Sequence, residues 1–335
     1  MAMPAATHLR LLGSVGFLAA SLWLAPSRSA QTPAGNWYKG NLHTHTINSD
    51  GDSSPDEVAR WYKEHRYQFL VLTDHDYLTA VEGLNTVLAA SEKFLLVRGE
   101  EVSDRFEKKP IHLNALNLSE VVRPQGGSSV VDTLQRNVDA IRKAGGAPAI
   151  NHPNYRWAIT AADLAAVENN KLFEIYNGHP EVNNWGGGGS PSLEEMWDTL
   201  LTSGRLMYGV AVDDAHYFKQ YGPQYSNPGR GWVSVRAGEL SASALVEALE
   251  RGDFYSSTGV VLSEVERMPR TLRVAIKTGA ALKYTIEFIG DNGRVLKSSF
   301  DNPASYTLAA SDTYVRARVK ASNGEMAWTQ PVFGK

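Results

Sequence analysis

Apolar residues recur along this chain in short, nearly continuous runs, and histidine, aspartate or glutamate stands at or just beyond an end of most of them. Trp37 to His45, Phe69 to Leu72, Phe94 to Val102, His112 to Leu118, Ala147 to Ile150, Leu172 to Tyr176 and Met207 to Val212 read as strands. Between several of them the pattern lengthens to that of an amphipathic helix. Ser54, Pro55 and Glu57 make a capping-box start for a helix reaching about Tyr67, and Thr160 to Asn169 carries a second. Val130 to Ala144 is stopped by Gly145, and Ser192 to Ser203 by Gly204. Strands that are apolar on both faces and alternate with helices predict an α/β fold with a parallel sheet, either open or closed into a barrel. In a barrel the functional residues collect at the carboxyl ends of the strands.

The texture changes near Leu262. Thr271 to Lys277, Tyr284 to Ile289 and Tyr314 to Val319 alternate apolar and polar, and Asp291-Asn292-Gly293 is a hairpin signal. The expectation is an α/β domain over residues 31–260 followed by a small β-sandwich-like domain over 261–335. Gly186 to Gly189 reads as a mobile loop beside the candidate site.

At the other end, Arg10 precedes an apolar run from Leu11 to Ala25, then Pro26 and small residues to Ser29 or Ala30. This predicts a signal peptide over residues 1–30, export to the periplasm or beyond, and no stable membrane insertion after cleavage.

Composition narrows the chemistry. With 335 residues and 43% hydrophobic content the chain can bury a large core, and a formal charge of -3 advertises no nucleic-acid surface. There are no cysteines, so disulfides and thiolate metal sites are excluded and a metal must be held by imidazole and carboxylate. Of nine histidines, six sit at or near strand ends: His43, His45, His75, His112, His152 and His216. Side chains alternate along a strand, so His43 and His45 share a face, as do Asp214 and His216. Such donors suit zinc, manganese or iron(II), whereas calcium wants oxygen alone. Alternation also separates two adjacent acids. Glu101 falls with Leu95, Val97 and Gly99 on the inner face, and Glu100 with Phe94, Leu96 and Arg98 on the outer face, where Arg98 offers Glu100 a cationic neighbour. Arg156, just after Asn151-His152-Pro153, is placed to grip a phosphate, while Asn177 and His179 are placed to orient a leaving group.

Taken in order, His43-Thr44-His45 with Asp50-Gly51, Leu72-Thr73-Asp74-His75-Asp76, Gly99-Glu100-Glu101, His112, Asn151-His152-Pro153 and Asp214-Ala215-His216 resemble the polymerase-and-histidinol-phosphatase (PHP) superfamily over roughly residues 37–260. The resemblance implies a distorted barrel of seven βα units and two to three divalent transition-metal ions, Mn, Zn or Fe. His43, His45, Glu101 and Asp214 would hold one ion, Glu101 would bridge to a second bound by His112 and His152, and Asp50, His75 and His216 would complete a third site. Some relatives carry histidine where this chain has Asp50. Ala327 to Val332 resembles the terminal β module of secreted members.

The implied activity is hydrolysis of a small-molecule phosphomonoester or phosphodiester by a metal-bridging hydroxide, without a protein nucleophile, because clustered ions lower the pKa of bound water and neutralise a phosphoryl group. Two other readings stay open at this point. One is hydrolysis of a non-phosphate ester or amide; the other is a binding protein that holds a glycan or surface and keeps a vestigial metal site.

Overall fold

A computed structural model describes residues 1–2, 35–89, 93–279 and 281–334, so the signal peptide expected over 1–30 falls outside the described residues except for its first two. Seven strands follow one another around a ring: β1 (Asn36–Asn41), β2 (Phe69–Leu72), β3 (Leu95–Phe106), β4 (Lys109–Leu116), β5 (Ala147–Ile150), β6 (Leu172–Asn177) and β7 (Tyr208–Val212). β1, β2 and β3 are parallel, as are β5, β6 and β7, while β4 runs antiparallel to both its neighbours. The ring closes beyond the ends of β7 and β1. There Thr44 and Ala215 form a parallel bridge, His45 N–H donates to Ala215 O at 2.9 Å, and Asp214 N–H donates to His43 O at 3.0 Å.

The distortion has a local cause. β3 and β4 are joined by Glu107 and Lys108 alone, with Glu107 at φ 54°, and so short a turn permits only an antiparallel return. One of the seven units therefore has a hairpin in place of a crossover helix. The reversal turns the early part of β4 toward the barrel mouth. His112, paired with Ser103 in the ladder, thus reaches the same rim as histidines that follow the ends of parallel strands.

The helices cover the ring. α1 (Pro55–Glu64) starts after Ser54, whose backbone N–H donates to the Glu57 carboxylate at 3.0 Å, and it ends before Arg66, which is left-handed at φ 63°. α2 (Glu82–Leu88), which the apolar pattern did not reveal, buries only Leu88. α3 (Val130–Lys143) is capped by the Ser129 hydroxyl, which accepts from Asp132 N–H, and stops before Gly145 at φ 81°. α4 (Ala161–Ala166) is shorter than expected because Val167 turns extended and is buried. α5 (Leu193–Thr202) ends before Gly204 at φ 82°. Beneath them β2, Phe69-Leu-Val-Leu72, is wholly buried, each such side chain contributing about 1.5–3 kcal/mol. Among the described residues no helix is long and apolar enough to cross a membrane.

Beyond the ring the chain is mostly strand. β8 (Trp232–Ala237) lies antiparallel on β1, α6 (Ala242–Glu250) follows, and β9 (Phe254–Ser257) continues the sheet. Then come β10 (Leu262–Met268), β11 (Thr271–Ile276), β12 (Tyr284–Gly290), β13 (Arg294–Ser299), β14 (Ala304–Thr307), β15 (Tyr314–Ala321), β16 (Met326–Thr329) and β17 (Val332–Phe333). The large sheet runs β13-β12-β15-β16-β9-β8 into β1, and β10-β11-β14 form a separate three-stranded sheet. Leu272, Val274, Phe288, Val315 and Ala317 fill the space between them. The Asp291–Gly293 turn has Asn292 at φ 56° and Gly293 at φ 74°, as a tight hairpin requires. Arg316, fully buried, ties β15 to α5 through Asp198 at 2.7 and 2.8 Å and Glu194 at 2.9 Å.

Candidate metal centre

All six histidines named from the sequence converge at the carboxyl mouth of the ring, together with Asp50, Glu101 and Asp214. Glu101 is the hub. Its Oε2 lies 3.2 Å from His43 Nε2, 3.3 Å from His45 Nε2 and 3.1 Å from His75 Nδ1. Its Oε1 lies 3.0 Å from His112 Nδ1 and 3.2 Å from His152 Nε2 and accepts from Asn151 Nδ2 at 2.8 Å. One carboxylate is thus shared between two sets of imidazoles. Asp214 Oδ1 lies 3.3 Å from His43 Nε2 and 3.2 Å from His45 Nε2, so these two nitrogens and two carboxylate oxygens face a common centre.

The outer group contains His216 Nε2 at 3.3 Å and His75 Nε2 at 3.5 Å from the Asp50 carboxylate. His45 joins it, since its Nδ1 is 3.5 Å from Asp50 Oδ1, so this set has four members where three were expected. Asp50 is half exposed, unlike the buried Glu101 and Asp214.

Whether these residues fit metal ions can be judged from their tautomers. His43 Nδ1 is 2.6 Å from Glu174 Oε1 and donates to it, leaving the Nε2 lone pair aimed inward. That Nε2 is buried with no hydrogen-bond partner, which is costly unless a cation takes the lone pair. His75 Nδ1–H faces the Ser103 hydroxyl, itself donating to Glu101 O at 3.0 Å, and His216 Nδ1–H donates to Asp214 O at 2.9 Å. In each case Nε2 is the free nitrogen.

The electrostatics agree. Burial alone would raise the Glu101 carboxyl, but His75, His43 and His112 hold it well below the usual range; burial likewise opposes His43, His45 and His216, which hold Asp214 well below. Burial is outweighed for His43, which Asp214, Glu101 and Glu174 push well up, and for His75, which Glu101 and Asp50 push up to about 9. The cluster is a buried negative field that draws positive charge, and it fits divalent cations.

Several contributors were not singled out from sequence. Glu174 is buried, and its Oε2 accepts from His152 N–H at 2.7 Å and Asn177 Nδ2 at 2.8 Å. A lone acid amid Leu172, Phe173 and Ile175 was the available signal. Asp74 accepts from Thr46 N–H at 2.7 Å, Ser49 Oγ at 2.9 Å and Thr79 Oγ1 at 2.6 Å, which pins the loop that carries Asp50.

The residues expected to touch substrate divide three ways. Asn177 is buried; its amide donates to Glu174 and, at 3.0 Å, to Asp214 Oδ2, and its oxygen accepts from His179 N–H at 2.7 Å. Both of its amide hydrogen bonds go to the carboxylates of the cluster. His179 lines the cavity of about 120 Å³ beside the cluster, along with Tyr155 and Val182. Burial lowers its pKa, and Nδ1 accepts from Glu181 N–H at 3.2 Å, so the neutral ring carries its proton on Nε2. Arg156 is exposed outside that lining, its guanidinium 5.3 Å from the Tyr155 ring centroid.

The expected face for Glu101 matches the cluster geometry, but the surroundings expected for Glu100 do not. Arg98 pairs with Glu82, and Glu100 is fully buried with Oε2 accepting from Val122 N–H at 2.9 Å.

The fold is thus a seven-stranded barrel with β4 as its one antiparallel strand, closed between the ends of β7 and β1 and carrying a His, Asp and Glu cluster at its mouth. In particular, the chain overlays a solved two-domain protein from Bacteroides vulgatus containing a predicted PHP-like metal-dependent phosphoesterase. The TM-score is 0.52 at 17% identity, over 89% of this chain and 96% of that one. A metal-dependent phosphoesterase structure from Bifidobacterium adolescentis, described there as a candidate, overlays at a TM-score of 0.42 and 15% identity, over 66% of this chain and 98% of that one. Among curated proteins, the 5'-3' exoribonuclease Rnm of Salmonella typhimurium is 34% identical over 79 residues, 23% of this chain. That match spans 27% of the exoribonuclease's length. No family model matches the chain.

Proposed function

We propose that this chain is a metal-dependent phosphoesterase that hydrolyses a phosphate ester at the cluster around Glu101. The observation that carries the reading is the division of one buried carboxylate between two imidazole sets, beside a His43 Nε2 that has no hydrogen-bond partner. His43, His45, Glu101 and Asp214 would hold one ion, Glu101, His112 and His152 a second, and Asp50, His75 and His216 the outer one. Two to three ions of manganese, zinc or iron would supply Lewis-acid charge to a phosphoryl group and activate water for its attack.

The chain's own residues supply the rest. Glu174, Ser103 and the Asp214 carbonyl fix the tautomers of His43, His75 and His216. Neutral His179 offers an N–H donor to a phosphate oxygen or to the departing oxygen. The cavity of about 120 Å³ over the cluster opens toward solvent and is lined by Tyr155, over whose ring Arg156 lies, so a phosphoryl group facing the ions would leave its alcohol portion pointing outward. Such an open mouth admits a monoester or the end of a phosphodiester, and the exoribonuclease among the curated relatives adds an oligoribonucleotide to the candidate substrates.

The test is a panel of p-nitrophenyl phosphate, bis-p-nitrophenyl phosphate, that oligonucleotide, p-nitrophenyl acetate and an anilide, offered to manganese- or zinc-loaded protein. Turnover confined to phosphate esters supports the reading. Turnover of the acetate or anilide alone replaces it with a non-phosphate hydrolase, and no turnover with metal bound favours a binding role.

A further inference from the structure

Among the described residues, the strand that delivers Asp214 and His216 has a strand neighbour on one side only. β7 pairs with β6, and on its other flank the sheet order ends. Backbone closure with the β1 side begins only at Asp214 and Ala215. The earlier part of β7 therefore presents N–H and C=O groups into a buried seam, where each must find a partner.

Two side chains from far along the chain provide those partners. Gln330, fully buried between β16 and β17, accepts from Gly209 N–H through Oε1 at 3.0 Å and donates from Nε2 to Gly209 O at 3.0 Å. A carboxamide here makes the two-bond exchange that a neighbouring strand residue would make. Ser256 on β9, also fully buried, donates to Gly209 O at 2.8 Å and accepts from Ala211 N–H at 3.0 Å. Gly209 fits this arrangement because a Cβ there would sit 2.4 Å from the Ile175 side chain, displacing β7 from β6.

We propose that Gln330 is a positioning residue for the metal centre: its carboxamide stands in for the missing strand edge and, with Ser256, fixes the placement of β7 and so of Asp214 and His216. The C-terminal β region is on this view part of the scaffold that sets metal affinity. The inference rests on the metal-centre reading above. Its specific content is that losing two hydrogen bonds at Gly209 is felt as altered coordination at Asp214, beyond any general loss of stability.

Cobalt(II) titration of metal-stripped full-length protein tests this, read by visible absorption and by bound metal per chain. Gln330→Met keeps side-chain length and removes both bonds. The expected result is folded protein by circular dichroism, cobalt affinity weakened by about tenfold or more, and a changed visible band. Ser256→Ala, the second arm should Gln330→Met fail to fold, is expected to shift the same band less. Val274→Ala, a buried position in the separate three-stranded sheet, serves as the control for general destabilisation and should keep the wild-type spectrum. Wild-type cobalt binding in the Gln330 and Ser256 variants would overturn the inference alone, as would an equal loss in Val274→Ala at matched melting temperature. A wild-type protein that takes up no cobalt would overturn the metal-centre reading, and this inference with it.

Discussion

Glu174 Oε1 lies 2.6 Å from Nδ1 of His43, with both side chains buried at the centre of the ring. The pair fixes the tautomer of the histidine whose other nitrogen has no hydrogen-bond partner, and Glu174 also receives the His152 backbone N–H. One carboxylate therefore orients residues from two of the expected sites. Glu174→Ala is expected to lower metal affinity about 10–100-fold, the usual cost of losing such an outer partner, and Glu174→Gln less. Competition against a chromophoric chelator measures it. Unchanged affinity in Glu174→Ala would make the contact incidental.

The neighbouring acids on β3 should behave in opposite ways. Glu101→Gln removes the shared carboxylate and is expected to reduce both bound metal and turnover steeply, whereas Glu100→Gln keeps both. Glu100 adds a pH signature. Burial pushes its carboxyl up to about 7 from an ordinary 4.5, so the native state holds that proton after the unfolded chain has released it. Stability from this group is fully present below about 4.5 and is lost as pH rises through about 7. Glu100→Gln should therefore gain melting temperature relative to wild type at pH 8 and not at pH 4.5. A pH-independent difference would rule out the assignment.

How far these features could be read from sequence depends on whether the signal is local. The clustered His, Asp and Glu residues were legible because most lie at or near an end of an apolar run and the two-residue period of a strand fixes their face, which also separates Glu101 from Glu100. The hairpin between β3 and β4 was not, since Phe94 to Val102 and His112 to Leu118 look the same whichever way the second strand runs. Helix α2 buries a single residue and has no stripe to find. Helix α6 buries Leu245, Ala248 and Leu249 at helical spacing behind a Ser241 cap, a readable pattern outside the expected elements. Asn177 resembled a contact residue because it follows a strand, yet only the folded chain shows that Glu174 and Asp214 take up its amide. Gln330 gives no local sign, since its partner Gly209 is 121 positions away.

The outer ion site should matter less than the inner pair. Asp50 is half exposed and faces His45, His75 and His216, whereas Asp214 is buried against the inner imidazoles. Asp50→Ala is expected to retain two ions and measurable turnover, and Asp214→Ala to lose both. Equal inactivity with two ions still bound in Asp50→Ala would make the outer ligand as essential as the inner ones.

Arg156 is exposed over the ring of Tyr155, which lines the cavity, so Arg156→Ala should raise KM for phosphate esters several-fold and leave metal content unchanged. Steady-state kinetics with a small aryl phosphate would show it. Identical KM and kcat would return this arginine to the solvent surface.

The central claim is that the Glu101 cluster holds the ions on which hydrolysis depends. Elemental analysis of purified full-length protein, run beside a phosphate-ester assay before and after chelation, tests it most directly. The account predicts about two to three transition-metal ions per chain, with activity abolished by chelation and restored by manganese or zinc. A preparation that hydrolyses the ester while free of metal would contradict it.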